Sequence, residues 1–172
     1  TQVSGFFSDN TNFAGSICLP GTHSKWINAK QSRIENFKTY MTGELFEVIS
    51  QNTVLIHSLN CKEIDKIEFI KSVDLIVEKP EIFSGLLFQL RADDLLNKQM
   101  SIISRSRLSG YLLGIELADS IKYWNNKDVV IIGDETLIEL YGDALMNKVS
   151  SLRQFKSEEM VLKGLTNFKK FL

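Results

Sequence analysis

The sequence predicts an α/β protein with a mixed five-stranded sheet, in the order β-β-β-α, a helical insertion, then β-α-β-α. Three observations carry this. Short strand-like runs crowd into residues 16–40, with connections that suit only antiparallel neighbours. Asp128–Ile132 carries an unbroken β-branched run, as in a strand buried on both faces beside parallel partners. Between them, from Cys61 to about Trp124, apolar residues recur at helical spacing.

Taken in order, Thr1-Gln2-Val3-Ser4-Gly5-Phe6-Phe7 has no initiator methionine and reads as the tail of a helix under way, so a preceding portion is expected. The predicted strands are Ser16–Leu19, Ser24–Asn28 and Ile34–Tyr40, parted by the Pro20-Gly21 turn and the polar stretch Lys30–Arg33. A helix opens with Thr42 as its N-cap and Glu44 in the first turn, where a negative charge suits the helix dipole. Its apolar face is expected to be Leu45, Val48 and Ile49.

In the helical block, Ile64, Ile67, Ile70 and Lys71 lead into Val73 and Ile76. Pro80 interrupts and Ile82–Leu96 resumes the pattern. A third helix, about Arg105–Trp124, carries Leu108, Leu112, Ile115, Ala118 and Ile121 on one stripe. Its Gly110 and Gly114 form a GxxxG pair, which in a water-facing protein marks close packing on a neighbour. Gly133-Asp134 then ends the β-branched strand and starts a helix to about Lys148. A strand near Leu152–Phe155 precedes a last helix, Ser157–Leu172, with Ser157 as cap, Glu158 and Glu159 at its positive end and Lys169 and Lys170 at its negative end.

Composition narrows the function classes. The 172 residues suffice for one domain with a proper core. Twenty basic residues face 21 acidic ones, a net charge of −1, which gives no electrostatic case for nucleic acid or an anionic membrane surface. No apolar run has the length of a bilayer span, and no secretory leader is expected. Cys18 and Cys61 read as two reduced, packed thiols of a cytoplasmic protein. They and His57 lack metal-ligand spacing, so no metal site is expected within the chain, and nothing resembles a Ser-His-Asp arrangement.

The segment with most chemistry is Ser16–Trp26, SICLPGTHSKW. A strand delivers the chain into a tight turn of Gly21, Thr22, His23 and Ser24, with Lys25 behind it. Backbone N–H groups, hydroxyls and an ammonium in such a turn suit phosphate. Ordinary hairpins are built the same way, and both readings stand on spacing alone.

Four motifs come in the order and spacing of one family: LPGTHSKW (Leu19–Trp26), F-x-T-x-MTGELF (Phe37–Phe46), SGLLFQLRADDLL (Ser84–Leu96) and LSGYLLGIELAD (Leu108–Asp119). Along essentially its whole length the chain resembles the 2-keto-3-deoxygalactonate kinases (2-dehydro-3-deoxygalactonokinases), within the sugar kinase, heat-shock protein and actin superfamily. The resemblance implies a ribonuclease-H-like (actin-like ATPase) half-domain, the C-terminal one, with a helical insertion at about 61–124. It implies ATP and Mg²⁺, a sugar-acid substrate, and an N-terminal half-domain, absent from this chain, that completes the cleft. A catalytic acid is then expected just before Thr1, and none is assigned within the chain. A homo-oligomer is compatible with this reading.

The resemblance also distributes site residues. Gly21, Thr22, His23, Ser24 and Lys25 become a second phosphate loop, with His23 either donating to phosphate or filling the turn. Thr42, Gly43 and Glu44 line the sugar-acid pocket, against the plainer reading of a strand end and helix cap. Arg91, in the FQLRADD stretch, faces the substrate carboxylate, against the plainer reading of a solvated or structurally paired arginine. Gly133 and Asp134 form a turn on the nucleotide side, although Asp134 and Glu135 depart from the small neutral residues usual there, and a capping role suits both. The activity implied is ATP-dependent phosphorylation of 2-keto-3-deoxygalactonate in galactonate breakdown. The alternative is a domain of the same fold that binds nucleotide or a partner without turnover.

Overall fold

The computed structural model describes residues 1–168. Five strands are present: β1 Ala14–Leu19, β2 Ser24–Lys30, β3 Arg33–Tyr40, β4 Asp128–Gly133 and β5 Ser151–Lys156. They form one mixed sheet in the order β3-β2-β1-β4-β5. The first three make an antiparallel meander, while β4 runs parallel to both β1 and β5. The β2–β3 turn is made by Gln31 and Ser32, both at positive φ (50° and 60°), the backbone that a two-residue hairpin requires.

Helices cover both faces of this sheet. On one face, α1 (Gln2–Asp9) packs against α8 (Ser157–Phe168), and Phe6 and Met160 join Phe13, Ile17, Ile27, Val130 and Ile132 in one core. Phe6 meets Phe13 edge-on at 5.1 Å, and the Arg153 guanidinium lies over both rings. On the other face Trp26 is fully buried near Tyr123 of the short helix α6 (Ile121–Trp124), and α7 (Glu135–Leu145) lies along β4 and β5. A strand covered on both sides must be apolar at every position, which is why Val129–Ile132 shows no alternation. The edge strand β3 is exposed along nearly all its length, so its residues are mostly polar or charged.

The chain divides into two compact units, residues 1–40 with the chain from Ser120 onward, and Met41–Asp119. The second unit is helical: α2 (Thr42–Asn52), α3 (Lys66–Glu78), α4 (Phe83–Asn97) and α5 (Ser101–Asp119), with short 3-10 turns at Val54–His57 and Pro80–Ile82. Its core gathers Leu55, Ile76, Leu90, Leu108, Tyr111 and Leu112. Asp65 caps α3, its carboxylate accepting from the Glu68 N–H. The GxxxG expectation holds: a Cβ on Gly110 would lie 2.6 Å from the Phe69 carbonyl oxygen, and one on Gly114 would lie 2.7 Å from the Ile76 Cβ.

Several expectations need correction. The α2 helix buries Phe46 and Ile49 in part, while Leu45 and Val48 face outward. In α3 the buried stripe is Phe69, Ser72, Val73 and Ile76, and Ile67 is exposed. The third helix begins at Ser101 and breaks at Ser120, leaving Ile121 exposed on a separate turn. The helix after β4 ends at Leu145 rather than Lys148. Cys18 is buried in β1 as expected, whereas Cys61 is only half-buried, outside any helix. Lys169 and Lys170 lie outside the described residues.

The α3–α5 contact makes a measurable claim. Gly110→Ala should lower stability by about 1–3 kcal/mol in urea denaturation, although alanine is the better helix former, because the added methyl meets backbone that cannot move aside. Gly85→Ala in α4, where a Cβ has open space, should instead stabilise by about 0.5–1 kcal/mol.

Candidate functional site

Because β1, β4 and β5 are parallel, the chain leaves all three at the same edge of the sheet, at Pro20, Asp134 and Ser157. From β1 it turns to β2 on one side, and from β4 it passes through α7 to β5 on the other. Loops that diverge between neighbouring strands leave a crevice at the carboxyl edge, where open α/β sheets hold ligands. A cavity of about 440 Å³ lies at this edge, lined by Gln2, Pro20, Gly133, Asp134, Lys156 and Ser157 among others. The turns after β1 and β4 touch here: a Cβ on Gly133 would lie 3.0 Å from the Pro20 ring.

The Gly21–Lys25 turn leaves from Pro20, and its tip stands outside that cavity. A Cβ on Gly21 would meet no atom within 4 Å. Thr22 and His23 are exposed, and the Lys25 ammonium folds back to donate to the His23 carbonyl at 2.8 Å. Ser24 is the exception among the five. It is fully buried, and its Oγ is 2.7 Å from the Tyr141 hydroxyl of α7. Its side chain braces the turn from within instead of lining its surface.

The acidic turn after β4 is answered locally. The Asp134 carboxylate caps α7 by accepting from the Leu137 N–H at 3.0 Å, and Glu135 pairs with Lys156 at 3.3 Å. The capping reading of Asp134 is thus what its geometry displays.

The other sequence-derived candidates belong to the helical unit. Thr42 is not the N-cap of α2. Met41 holds that position without a side-chain cap, and the Thr42 hydroxyl donates to Glu116 of α5. Gly43 and Glu44 follow in the first turn, half-buried. Arg91 is held by Asp94, one helical turn on, at 2.7 Å, with the Ser58 hydroxyl bonded to the same carboxylate. Two supporting residues were missed by sequence reasoning. Glu116 is 1% exposed, and a carboxylate set between apolar neighbours in the GIELA stretch was the signal for it. Tyr141 gave no signal of its own.

Among the described residues, no group of three or more His, Cys, Asp or Glu is arranged to hold a metal ion, and no helix is long and apolar enough to cross a membrane. The family model for 2-keto-3-deoxy-galactonokinase matches residues 1–168. The chain belongs to this family.

Among its relatives in the 2-keto-3-deoxy-galactonokinase family, the Rhizobium meliloti (strain 1021) protein named "Probable 2-dehydro-3-deoxygalactonokinase DgoK1" is 37% identical over 156 residues, covering 87% of this chain and 50% of that protein. The Escherichia coli (strain K12) 2-dehydro-3-deoxygalactonokinase is 31% identical over 105 residues, covering 61% of this chain and 36% of the relative. A crystal structure described as "a putative 2-dehydro-3-deoxygalactonokinase protein" from Sinorhizobium meliloti superposes with a TM-score of 0.89 at 33% identity, covering 96% of this chain and 56% of that one. The chain therefore spans about half the length of the relatives it matches.

The Ser24–Tyr141 brace can be measured. Tyr141→Phe and Ser24→Ala should each cost about 1 kcal/mol in thermal denaturation, since each removes the buried hydroxyl–hydroxyl hydrogen bond. The double variant should cost clearly less than the two together, because they share one interaction.

Proposed function

We propose that this chain is the C-terminal, ribonuclease-H-like domain of an ATP-dependent sugar-acid kinase acting on 2-keto-3-deoxygalactonate, and that the Gly21–Lys25 turn is its second phosphate loop. The observation that carries this is a glycine-, hydroxyl- and lysine-bearing turn at the carboxyl edge of β1, beside β4, in a chain of this kinase family. The strand order, three antiparallel strands joined to two parallel ones, supports the fold assignment. The half-length coverage of the relatives supports a partner half-domain that completes the cleft.

Phosphoryl transfer asks a protein mainly to position groups and offset negative charge. Thr22 and Lys25 would supply donors and charge to the transferred phosphate, and His23 stands beside them at the exposed tip. The open space beside Gly21 admits a phosphate close to the backbone. Ser24, locked to Tyr141, keeps the donors from reorganising when charge moves. Gly133 is assigned to the nucleotide side of the same edge, with Asp134 turned to its own helix. Thr42, Gly43 and Glu44 are assigned to the acceptor pocket, Thr42 held by Glu116. Arg91 drops out, because Asp94 already answers its charge.

Mg²⁺ is assigned to the incoming nucleotide, whose phosphates it would neutralise. The base for the acceptor hydroxyl is assigned to a residue preceding Thr1. Gln2 lines the carboxyl-edge cavity, which supports delivery of that residue to the same edge. A cytoplasmic location accords with such a metabolic role.

In the complete protein, Lys25→Ala and Thr22→Ala should each lower kcat by about a hundredfold in a coupled ADP-release assay with 2-keto-3-deoxygalactonate, with little change in thermal stability. Lys30→Ala, at the exposed far end of β2, should be nearly silent. The 172-residue chain alone should give no turnover. Turnover of Lys25→Ala within a few-fold of wild type would leave the turn an ordinary hairpin.

A further inference from the structure

The helical unit contains three arginines, and two of them are neutralised within the chain. Arg91 pairs with Asp94 at 2.7 Å, and Arg107 pairs with Glu68 at 2.6 Å and with Asp93 at 3.2 Å. Arg105, one turn into α5, has neither an ion pair nor a hydrogen bond among the described residues. Its Nε is buried without an acceptor, and its guanidinium lies over the Phe46 ring, 4.8 Å from the centroid. Burial draws its pKa below the usual arginine value, with the nearby Cys61 thiol acting in the opposite direction. Such a group is costly unless something answers it.

Arg105 and Phe46 line a cavity of about 460 Å³, which is the size of a small-molecule site. The planar guanidinium, fixed by the ring beneath it, presents a fork suited to a carboxylate. Gln51 and Asn60 add amide donors and acceptors to the same wall, and Lys62 adds a second positive charge. Ile56 and Leu59 supply an apolar side. Glu47 also lines the cavity, and its carboxylate would accept from ligand hydroxyls while excluding a second anion from its end.

We propose that this cavity binds a small polyhydroxylated carboxylate, with Arg105 gripping the carboxylate and Gln51, Asn60 and Glu47 meeting the hydroxyls. The choice of a sugar acid as ligand rests on the proposed kinase reading, while the anion site rests on Arg105 and its surroundings.

The test is titration calorimetry on the complete protein without nucleotide, with 2-keto-3-deoxygalactonate as probe. Galactitol serves as the neutral polyol and inorganic phosphate as the competing anion. The acid should bind, Arg105→Ala should weaken it about tenfold or more, and Arg105→Lys should weaken it several-fold by keeping the charge and losing the fork. Galactitol should bind weakly and equally to all three proteins. Cys61, a half-buried thiol in the cavity wall, gives a second readout. Saturating acid should slow its alkylation by iodoacetamide in wild type, while Cys18 stays buried throughout.

Should Arg105→Ala fail to fold, Arg105→Lys and the Cys61 protection decide. Wild-type protein that does not bind the acid, variants that bind within twofold of wild type, or binding without Cys61 protection would each overturn the proposal. Full displacement of the acid by phosphate would do so too. Arg105-dependent binding without any phosphorylation would sink the kinase reading and leave this site standing. Normal turnover in Arg105→Lys together with unweakened binding of the acid would sink the site alone.

Discussion

The parallel pairing of β1 with β4 is the constraint on which the rest depends. Three registered pairs, Ser16 with Val129, Ile17 with Val130 and Cys18 with Ile131, join the antiparallel meander to the parallel half of the sheet. Without that seam the Val129–Ile132 run would lack one of its two strand partners. The seam also sets the register that brings the turn after β1 against the turn after β4. Pro20 seats on Gly133 there, so the exit of one strand fixes the exit of the other. Candidate chemistry at this edge is therefore a product of sheet topology as much as of the residues in the turn.

Elements defined by their own local pattern were legible in the sequence. The β4 strand announced itself by composition, the meander by its short connections, and the α3–α5 contact by the spacing of Gly110 and Gly114. What could not be read were side chains whose behaviour is set by a partner far along the chain. Thr42 looked like a cap because capping is a local preference, yet Glu116 from α5 claims its hydroxyl. Ser24 looked like a surface donor until Tyr141 of α7 placed it in the interior. In α2, Leu45, Val48 and Ile49 are as well spaced as Phe46 and Ile49, and only tertiary packing chooses between the two faces.

Arginine pairing shows the same division. The Arg91–Asp94 pair lies within one helix at a spacing visible in the sequence, so its neutralisation was there to be seen. The partners of Arg107 come from α3 and α4, and those contacts are invisible without the fold. Arg105 and Arg107 stand two residues apart on α5 and so point to different sides of the helix. One side supplies carboxylates and the other supplies an aromatic ring.

The discontinuity of the sheet-bearing unit has a consequence for how the chain acquires its structure. The helical unit is one uninterrupted segment rich in contacts between near neighbours, which favours rapid formation. The β1–β4 seam, by contrast, must close across the whole of residues 41–119. If those residues are already folded, the loop to be closed is effectively much shorter and its entropic cost falls. During synthesis, at roughly 5–20 residues per second, the meander emerges first and waits for β4 with the β1 edge unpaired. An open, apolar strand edge is a template for pairing with another chain. The nascent meander thus passes through an interval of roughly several seconds in which that edge is open to pairing with another chain.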